Sequence, residues 1–354
     1  MLSSLIKRIE PLNEEAVADA EARFAKLTKP PGSLGRLEMA VAQLAGISGQ
    51  PFPHIREKVI ILMAADHGVV VEGVSPYPQA ATEQMVYNFL NGGAAINVLA
   101  RHSGARLIIV DMGIAARPIS HRNIVDRRIA QGTNNIARGP AMTSGQAEQA
   151  VSAGIEVVEA QIEKGLDIVA TGDMGVGNTT SAAAICAAIT GENPEQIVDR
   201  GSGLDDEGLE RKIATVRRAL LTNNPDSGDG LDLLAKIGGY EIAGLAGVIL
   251  GAAVHRKPVL LDGFVSTAAA MIAATFTPRV KPYLIASHRS QSKGHTHMLK
   301  WLGLTPLVDL DLYLGEGAGA VLTYSLIEAA CKLLTEMATV TEAGISQKEL
   351  EENS

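Results

Sequence analysis

From Lys58 onward the chain alternates between short unbroken apolar runs and longer segments in which apolar residues recur at helical spacing. The runs are KVIILMAAD (58–66), ARLIIVDMG (105–113), LDIVATGDMG (166–175), PVLLDGF (258–264) and PYLIASH (282–288), each with Asp, Gly or His at or next to its end. A run without polar alternation suits a strand covered on both faces, as in a parallel sheet. Between the runs the 3.6-residue period predicts helices over roughly 79–101, 144–164, 178–190, 206–221, 240–254, 265–275 and 290–302. Strand, polar residue with Gly, then helix, repeated in this way, predicts an α/β fold: a doubly wound, mostly parallel sheet with helices on both faces. Ligands meet such sheets at the carboxyl ends of the strands, which puts the recurring Asp and His on the functional edge.

The two chain ends read differently. Residues 13–27 form a helical pattern with Asn13 as N-cap and Glu14 and Glu15 in the first turn. Pro30, Pro31, Gly32 and Gly35 break it, a second helix follows over about 36–46, and Pro51 and Pro53 mark a boundary. Residues 317–337 are again helical, and the tail after Gly344 is polar. Both ends together predict a small helical domain of residues 1–50 and 325–354, beside a large α/β domain of residues 51–324.

Composition narrows the class. With 354 residues, 46% hydrophobic, 3% aromatic and 36 glycines, the chain suits a closely packed α/β enzyme in which small residues let helices lie near the sheet. A net charge of −8, with no basic stripe carrying interleaved aromatics, argues against nucleic acid and anionic lipid as partners. Cys186 and Cys331 sit in apolar helical patterns and read as buried, reduced thiols rather than a disulfide or metal pair. The N-terminus lacks the pattern of a signal peptide, and the run Ala243–Val254 is too short to cross a bilayer, so a cytoplasmic enzyme is expected.

Four segments can carry chemistry. In ATGDMGVGNTTSAAAICAAI (170–189) a strand meets a turn containing Gly172, Gly175 and Gly177, and then a helix opened by Asn178, Thr179 and Thr180. Glycines let backbone amides approach an anion, and hydroxyls at a helix start can donate to phosphate. The alternative is an ordinary capped strand-to-helix turn; a P-loop and a dinucleotide fingerprint are both excluded by the pattern. In DLYLGEGAGAVLTY (311–324), Glu316 lies between Gly315 and Gly317 among apolar residues, either a proton acceptor with a raised pKa or an exposed turn residue. In residues 64–101, Asp66 and His67 end a strand, and Tyr77, Gln84, Met85 and Phe89 are candidates to line a pocket for a flat ring. In DRGSGLDDEGLERK (199–212), Gly201, Ser202, Gly203 and Lys212 offer a second phosphate or ribose contact, or a capped surface helix with a solvated lysine. His288, His295 and His297 fail metal spacings and read as solvated or hydrogen-bonded side chains.

Taken together these segments resemble one family, the nicotinate-nucleotide–dimethylbenzimidazole phosphoribosyltransferases. The matching stretches are KPPGSLGRLE (29–38), ADHGV (65–69), SPYPQ (75–79) with TEQMVYNF (82–89), GVGNTT (175–180), LLDGF (260–264), ASHRS (286–290) and LGEGAGA (314–320). The resemblance implies a homodimer that moves phosphoribose from nicotinate mononucleotide to 5,6-dimethylbenzimidazole or a related base, with inversion at C1′ and without a metal or other cofactor. It implies Glu316 as general base, Asp173 and Lys212 as further catalytic groups, and substrate contacts from Ser75, Tyr77, Gln84, Met85, Gly175, Val176, Gly177, Asn178, Thr179, Thr180, Gly203, Ser290 and Leu314. Asp173 stands where some members carry Glu, one methylene longer, and Tyr77 and Pro78 fall at positions that vary. Two other functions remain open on the residues alone. One is a transferase using a pyrophosphate-activated donor with Mg²⁺, for which no adjacent acid pair ends a strand; the other is a nucleotide-binding protein without turnover.

Overall fold

The apolar runs become the strands of one parallel sheet. The computed structural model describes residues 2–346. Its strands are β1 (Lys58–Ala65), β2 (Arg106–Gly113), β3 (Ile124–Asp126), β4 (Ile168–Met174), β5 (Val259–Leu261) and β6 (Leu284–Ala286), in the order β3-β2-β1-β4-β5-β6. Every pairing is parallel. All eight residues of β1, the central strand, are buried, which is why its sequence carries no polar alternation. From β1 the chain winds outward to β2 and β3, then crosses back to β4 on the other side. The crevice at this reversal, outside the carboxyl ends of β1 and β4, is where such sheets bind ligands.

Helices cover the sheet, and glycines decide how closely they pack. Helix Tyr240–Val254 is buried along nearly its whole length and lies on helix Ser144–Ile162. A Cβ on Gly154 would stand 1.9 Å from the Gly244 carbonyl oxygen, and one on Gly247 would stand 2.0 Å from that of Val151, so the two backbones touch where no side chain fits.

Several elements differ from the sequence reading. The helix expected over 79–101 is two, Ala80–Leu90 and Ala95–Ser103, because the chain turns at Gly92 with φ 77°. The helix expected from residue 290 starts at Lys293. Strand β3 and the helices Leu2–Ile6, Pro194–Ile197 and Gly230–Ile237 were not anticipated. Among the described residues, one helix, Ala318–Glu336, is apolar and long enough to span a membrane by length and composition, but 56% of its apolar window is buried, as in a core helix.

The chain divides into two compact units, Met1–Pro11 with Arg56–Tyr324, and Leu12–Ile55 with Ser325–Ser354. The first residues therefore group with the large unit instead of the small one. Ile9 is fully buried there, and Tyr283 Oη donates to the Glu10 carbonyl at 2.8 Å. In the small unit, Asn13 caps helix Glu14–Lys26 by accepting from Ala16 N–H at 2.9 Å. Lys29 and Glu38 pair at 2.8 Å across the KPPGSLGRLE turn, and Arg23 donates to the Met337 carbonyl at 3.1 Å, joining the two chain ends.

Candidate active site

The turn after β4 is built on close backbone approach. A Cβ on Gly175 would lie 2.2 Å from the Ala65 carbonyl oxygen at the end of β1, so only glycine fits. Gly177, at φ 92°, stands at the N-cap of helix Asn178–Thr190. Some groups of the expected anion cradle are already engaged. Val176 N–H donates to Thr82 Oγ1 at 3.0 Å, and the N–H groups of Asn178 and Thr180 donate to the Gly175 and Gly177 carbonyls. The Asn178 side chain donates to Asp173 Oδ2 at 2.9 Å. Thr180 Oγ1 is buried without a hydrogen-bond partner, and the Thr179 hydroxyl accepts from Lys212 Nζ at 2.8 Å.

Lys212 is not the solvated lysine that its helix allowed. It is 2% exposed, and burial brings its ammonium down to about 8 against the opposing pull of Asp199. A Cβ on Gly201 would lie 3.2 Å from Nζ, so the Gly201 turn wraps the lysine, whereas Ser202 and Gly203 point to solvent. Asp199 braces this corner by accepting from Gly201 N–H at 2.8 Å and Lys293 N–H at 3.2 Å.

Glu316 is buried at 8% exposure, not an exposed turn residue. It sits at φ 62° between Gly315 at 78° and Gly317 at 87°, three left-handed residues in a row. An αL glutamate is uncommon and marks a backbone held by its surroundings. What holds it is β4: a Cβ on Gly172 would lie 2.6 Å from the Glu316 carbonyl oxygen. The loop carrying Glu316 is therefore seated on the strand that feeds the Gly175–Gly177 turn. Burial, reinforced by Asp262, raises the Glu316 carboxyl to about 7. Asp173 is pushed further, to about 8, by burial and then by Asp262 and Glu241, with Glu316 adding a smaller push against the hydrogen bond from Asn178.

Of this acidic cluster, the sequence places Asp262 on the functional edge without a role of its own and gives no sign of Glu241. Asp262 follows β5 and accepts from Gly317 N–H at 3.0 Å and Ala320 N–H at 3.1 Å. Glu241 opens helix Tyr240–Val254 and meets His67 Nε2 at 2.6 Å, while His67 Nδ1 meets Ser181 Oγ at 3.1 Å. Asp66 accepts from Ala115 N–H at 2.7 Å. The later histidines are buried rather than solvated in two cases. His295 accepts from Ser290 N–H at 2.9 Å, and burial lowers it to about 3, so it is neutral and locks the Ser290 backbone. His288 lies 3.9 Å from Asp262, and His297, half-exposed, lies 3.4 Å from Glu192. No group of three or more His, Cys, Asp or Glu among the described residues is arranged to hold a metal ion.

The expected base-pocket residues sit further out. Tyr77 is 54% exposed and Leu314 53%, Gln84 is exposed, and Ser75 and Met85 are half-buried. Their segment reaches the turn through Thr82, on the same helix as Gln84 and Met85.

Comparison with known proteins decides the family. The family model for the phosphoribosyltransferase DBI_PRT matches residues 9–345. The chain belongs to this phosphoribosyltransferase family. It is 56% identical over 348 residues to the nicotinate-nucleotide–dimethylbenzimidazole phosphoribosyltransferase of Roseiflexus sp. (strain RS-1), covering 98% of this chain and 99% of that protein. The protein of the same name from Chloroflexus aggregans is 53% identical over the same length and shares. The crystal structure of CobT from Thermus thermophilus superposes with a TM-score of 0.91 at 45% identity, covering 94% of this chain and all of that one. The α/β fold and the enzyme class, a pentosyltransferase, follow from these likenesses.

The site of this phosphoribosyltransferase carries a stability signature. Asp173 and Glu316 bind protons more tightly folded than unfolded, so the stability they contribute is full below pH about 4 and is lost as pH rises toward about 7–8. Asp173→Asn removes the larger part, because Asn can still accept from Asn178. The variant is expected to gain about 1–3 kcal/mol over wild type between pH 5 and pH 8. Thermal melts of both proteins across that range test this, and a difference in Tm that does not change with pH would refute it.

Proposed function

We propose that the enzyme transfers phosphoribose from nicotinate mononucleotide to 5,6-dimethylbenzimidazole or a related base, giving α-ribazole 5′-phosphate and nicotinate, with Glu316 as general base. The reading is carried by one observation, the seating of Glu316 against Gly172 at the mouth of the glycine turn. That contact brings a carboxyl poised near 7 to a helix start that is flanked by Lys212 and the Thr179 hydroxyl. The names and near-complete coverage of the relatives support the substrates.

In this reading the 5′-phosphate lies over the start of helix Asn178–Thr190, with Lys212, Thr179 and Ser290 at its oxygens. One ring nitrogen of the benzimidazole attacks C1′ from the face opposite the pyridinium, while the N–H of its other nitrogen gives its proton to Glu316. The C1′–N bond to the pyridinium breaks, and its electron pair neutralises the leaving nicotinate ring, so no acid is needed at that end. Attack opposite the leaving group inverts the anomeric carbon. Holding two rings in line at C1′ contributes up to about 7–11 kcal/mol of the barrier reduction available to well-oriented reactants. With its pKa near 8, Asp173 is protonated at neutral pH and can donate to a ribose hydroxyl without adding a second negative charge beside the base.

Ser75, Tyr77, Gln84, Met85 and Leu314 belong in this reading to the base pocket, on the open side of the site. A homodimer belongs to the same reading and is supported by the exposed apolar Leu310, Tyr313 and Leu314 leading to Glu316. Light scattering of the purified protein reads the assembly. The function itself is tested by mixing purified enzyme with nicotinate mononucleotide and a panel of bases. Nicotinate is expected only when a base is present, with one nucleotide formed for each nicotinate released. Release without a base, or none with any base, sinks the proposal. The preferred base rests on a few pocket contacts worth about 1–3 kcal/mol each, so the panel also ranks them.

A further inference from the structure

Helix Ala318–Glu336 begins without a capping side chain of its own, because the residue before it is Gly317. The missing acceptor comes from a distant part of the chain. Asp262, on the turn after β5, directs Oδ2 to Gly317 N–H at 3.0 Å and Oδ1 to Ala320 N–H at 3.1 Å. Asp262 is 1% exposed, so both contacts lie away from water, where each hydrogen bond to a carboxylate is strongest. Gly317 follows Glu316 directly, and the loop it closes holds three consecutive left-handed residues. Such a backbone keeps its shape only while its surroundings over-determine it.

We propose that Asp262 is a positioning residue for the transfer: by taking the Gly317 and Ala320 N–H groups it clamps the Gly315–Gly317 loop to the end of β5 and so fixes the Glu316 carboxyl over the turn that follows β4. The inference rests on the reading of Glu316 as base.

Behind Asp262 the arrangement is closed. Ser287 Oγ donates to the Leu261 carbonyl at 2.5 Å, so at 2.9 Å it accepts the hydrogen of His288 Nδ1, and that nitrogen stands 3.9 Å from Asp262 Oδ1. A Cβ on Gly319 would fall 2.1 Å from the same nitrogen, so the helix start backs directly against the ring. The charged and titratable groups are linked in turn: Asp262 after β5 acts on Glu316 and on Asp173 of β4, Glu241, paired with His67 after β1, acts on Asp173, and His288 after β6 stands beside Asp262. Of these, Asp262 exerts the electrostatic push on Glu316. Removing its charge therefore lowers the pH at which Glu316 loses its proton, in addition to loosening the loop.

The test is Asp262→Asn, close in shape but neutral. The expected result is a fall in kcat of at least tenfold, a KM for nicotinate mononucleotide within about threefold of wild type, and an acid limb of the pH profile moved down by half a pH unit or more. A variant with wild-type kcat, or one whose loss of rate follows its loss of thermal stability while the limb stays in place, overturns the proposal. Asp262→Glu keeps the charge and displaces the carboxylate by one methylene. It is expected to lose rate with the limb near its wild-type position, and it serves if the neutral variant does not fold; full activity in Asp262→Glu overturns the clamp. If wild-type enzyme shows no base-dependent release, it is the base-exchange reading that fails. The clamp is then read from the titration of the 13C-labelled Glu316 carboxyl, identified by its absence in Glu316→Gln. An unchanged midpoint in Asp262→Asn overturns it.

Discussion

Replacing Glu316 with Gln is expected to lower kcat by about 10²- to 10⁴-fold, the range for loss of a positioned general base. The substitution keeps the shape of the side chain, so the loop can stay on β4 and the KM for nicotinate mononucleotide should change little. The pH profile supplies the sharper readout. Burial and Asp262 place the Glu316 carboxyl near 7, so wild-type kcat/KM should fall below that pH with a slope of one. Asp173, near 8 and within electrostatic reach, titrates with it, so the midpoint belongs to the group as a whole. In Glu316→Gln the acid limb should vanish from whatever rate remains. A variant retaining both the limb and more than a tenth of wild-type turnover removes Glu316 from the proton transfer.

A base is most useful when its pKa lies near the working pH, and the acidic cluster creates that condition. Four carboxyl groups from separate elements, Asp173, Glu241, Asp262 and Glu316, converge at the carboxyl ends of β4 and β5. Three have firm partners: Glu241 meets His67, Asp262 has the two amides, and Asp173 accepts from the Asn178 side chain. Burial raises Asp262 against the amides and the His288 ring beside it, and it raises Asp173 to about 8 and Glu316 to about 7.

Much of this was legible in the order of residues, for physical reasons. Strands β1 and β4 are buried on both faces, as is β2 from Ile109 onward, and burial on both faces leaves an unbroken apolar run. Glu316 stood out because a carboxylate between glycines among apolar residues has little reason to be there on packing grounds. The missed parts depend on tertiary contact. Strand β3 has three residues, none of them buried, and so no apolar run. Glu241 in a helical first turn looks like an ordinary favourable end charge, and Asp262 like one more polar strand terminus; only the fold shows the first against His67 and the second on the Gly317 amide. Lys212 follows the amphipathic period of its helix, and nothing local shows that the Gly201 turn closes over it. The break at Gly92 was available in the sequence, since the Asn-Gly-Gly turn pattern interrupts the helical period there.

Gly172→Ala is expected to reduce turnover by roughly 10²-fold although every side chain named in the mechanism remains. The added methyl would meet the Glu316 carbonyl oxygen at 2.6 Å and the Gly317 nitrogen at 3.1 Å. Both are backbone atoms, so no rotamer change relieves the clash. One of two surfaces must move. Strand β4 is paired on both sides, with β1 through Leu62↔Gly172 and with β5 through Ala170↔Leu260, whereas the 315–317 loop is held by the Asp262 contacts. The loop is the softer partner and should shift, by something near 1 Å. A misplacement of that size at a reacting group costs about 10²-fold in rate, while overpacking of the contact costs about 1–3 kcal/mol of stability. Gly139→Ala is the control, because a Cβ there meets nothing within 4 Å. Steady-state kinetics and thermal melts of the two variants separate the effects. If Gly172→Ala matches Gly139→Ala in both rate and Tm, the seating of Glu316 on β4 is not what holds the base in place.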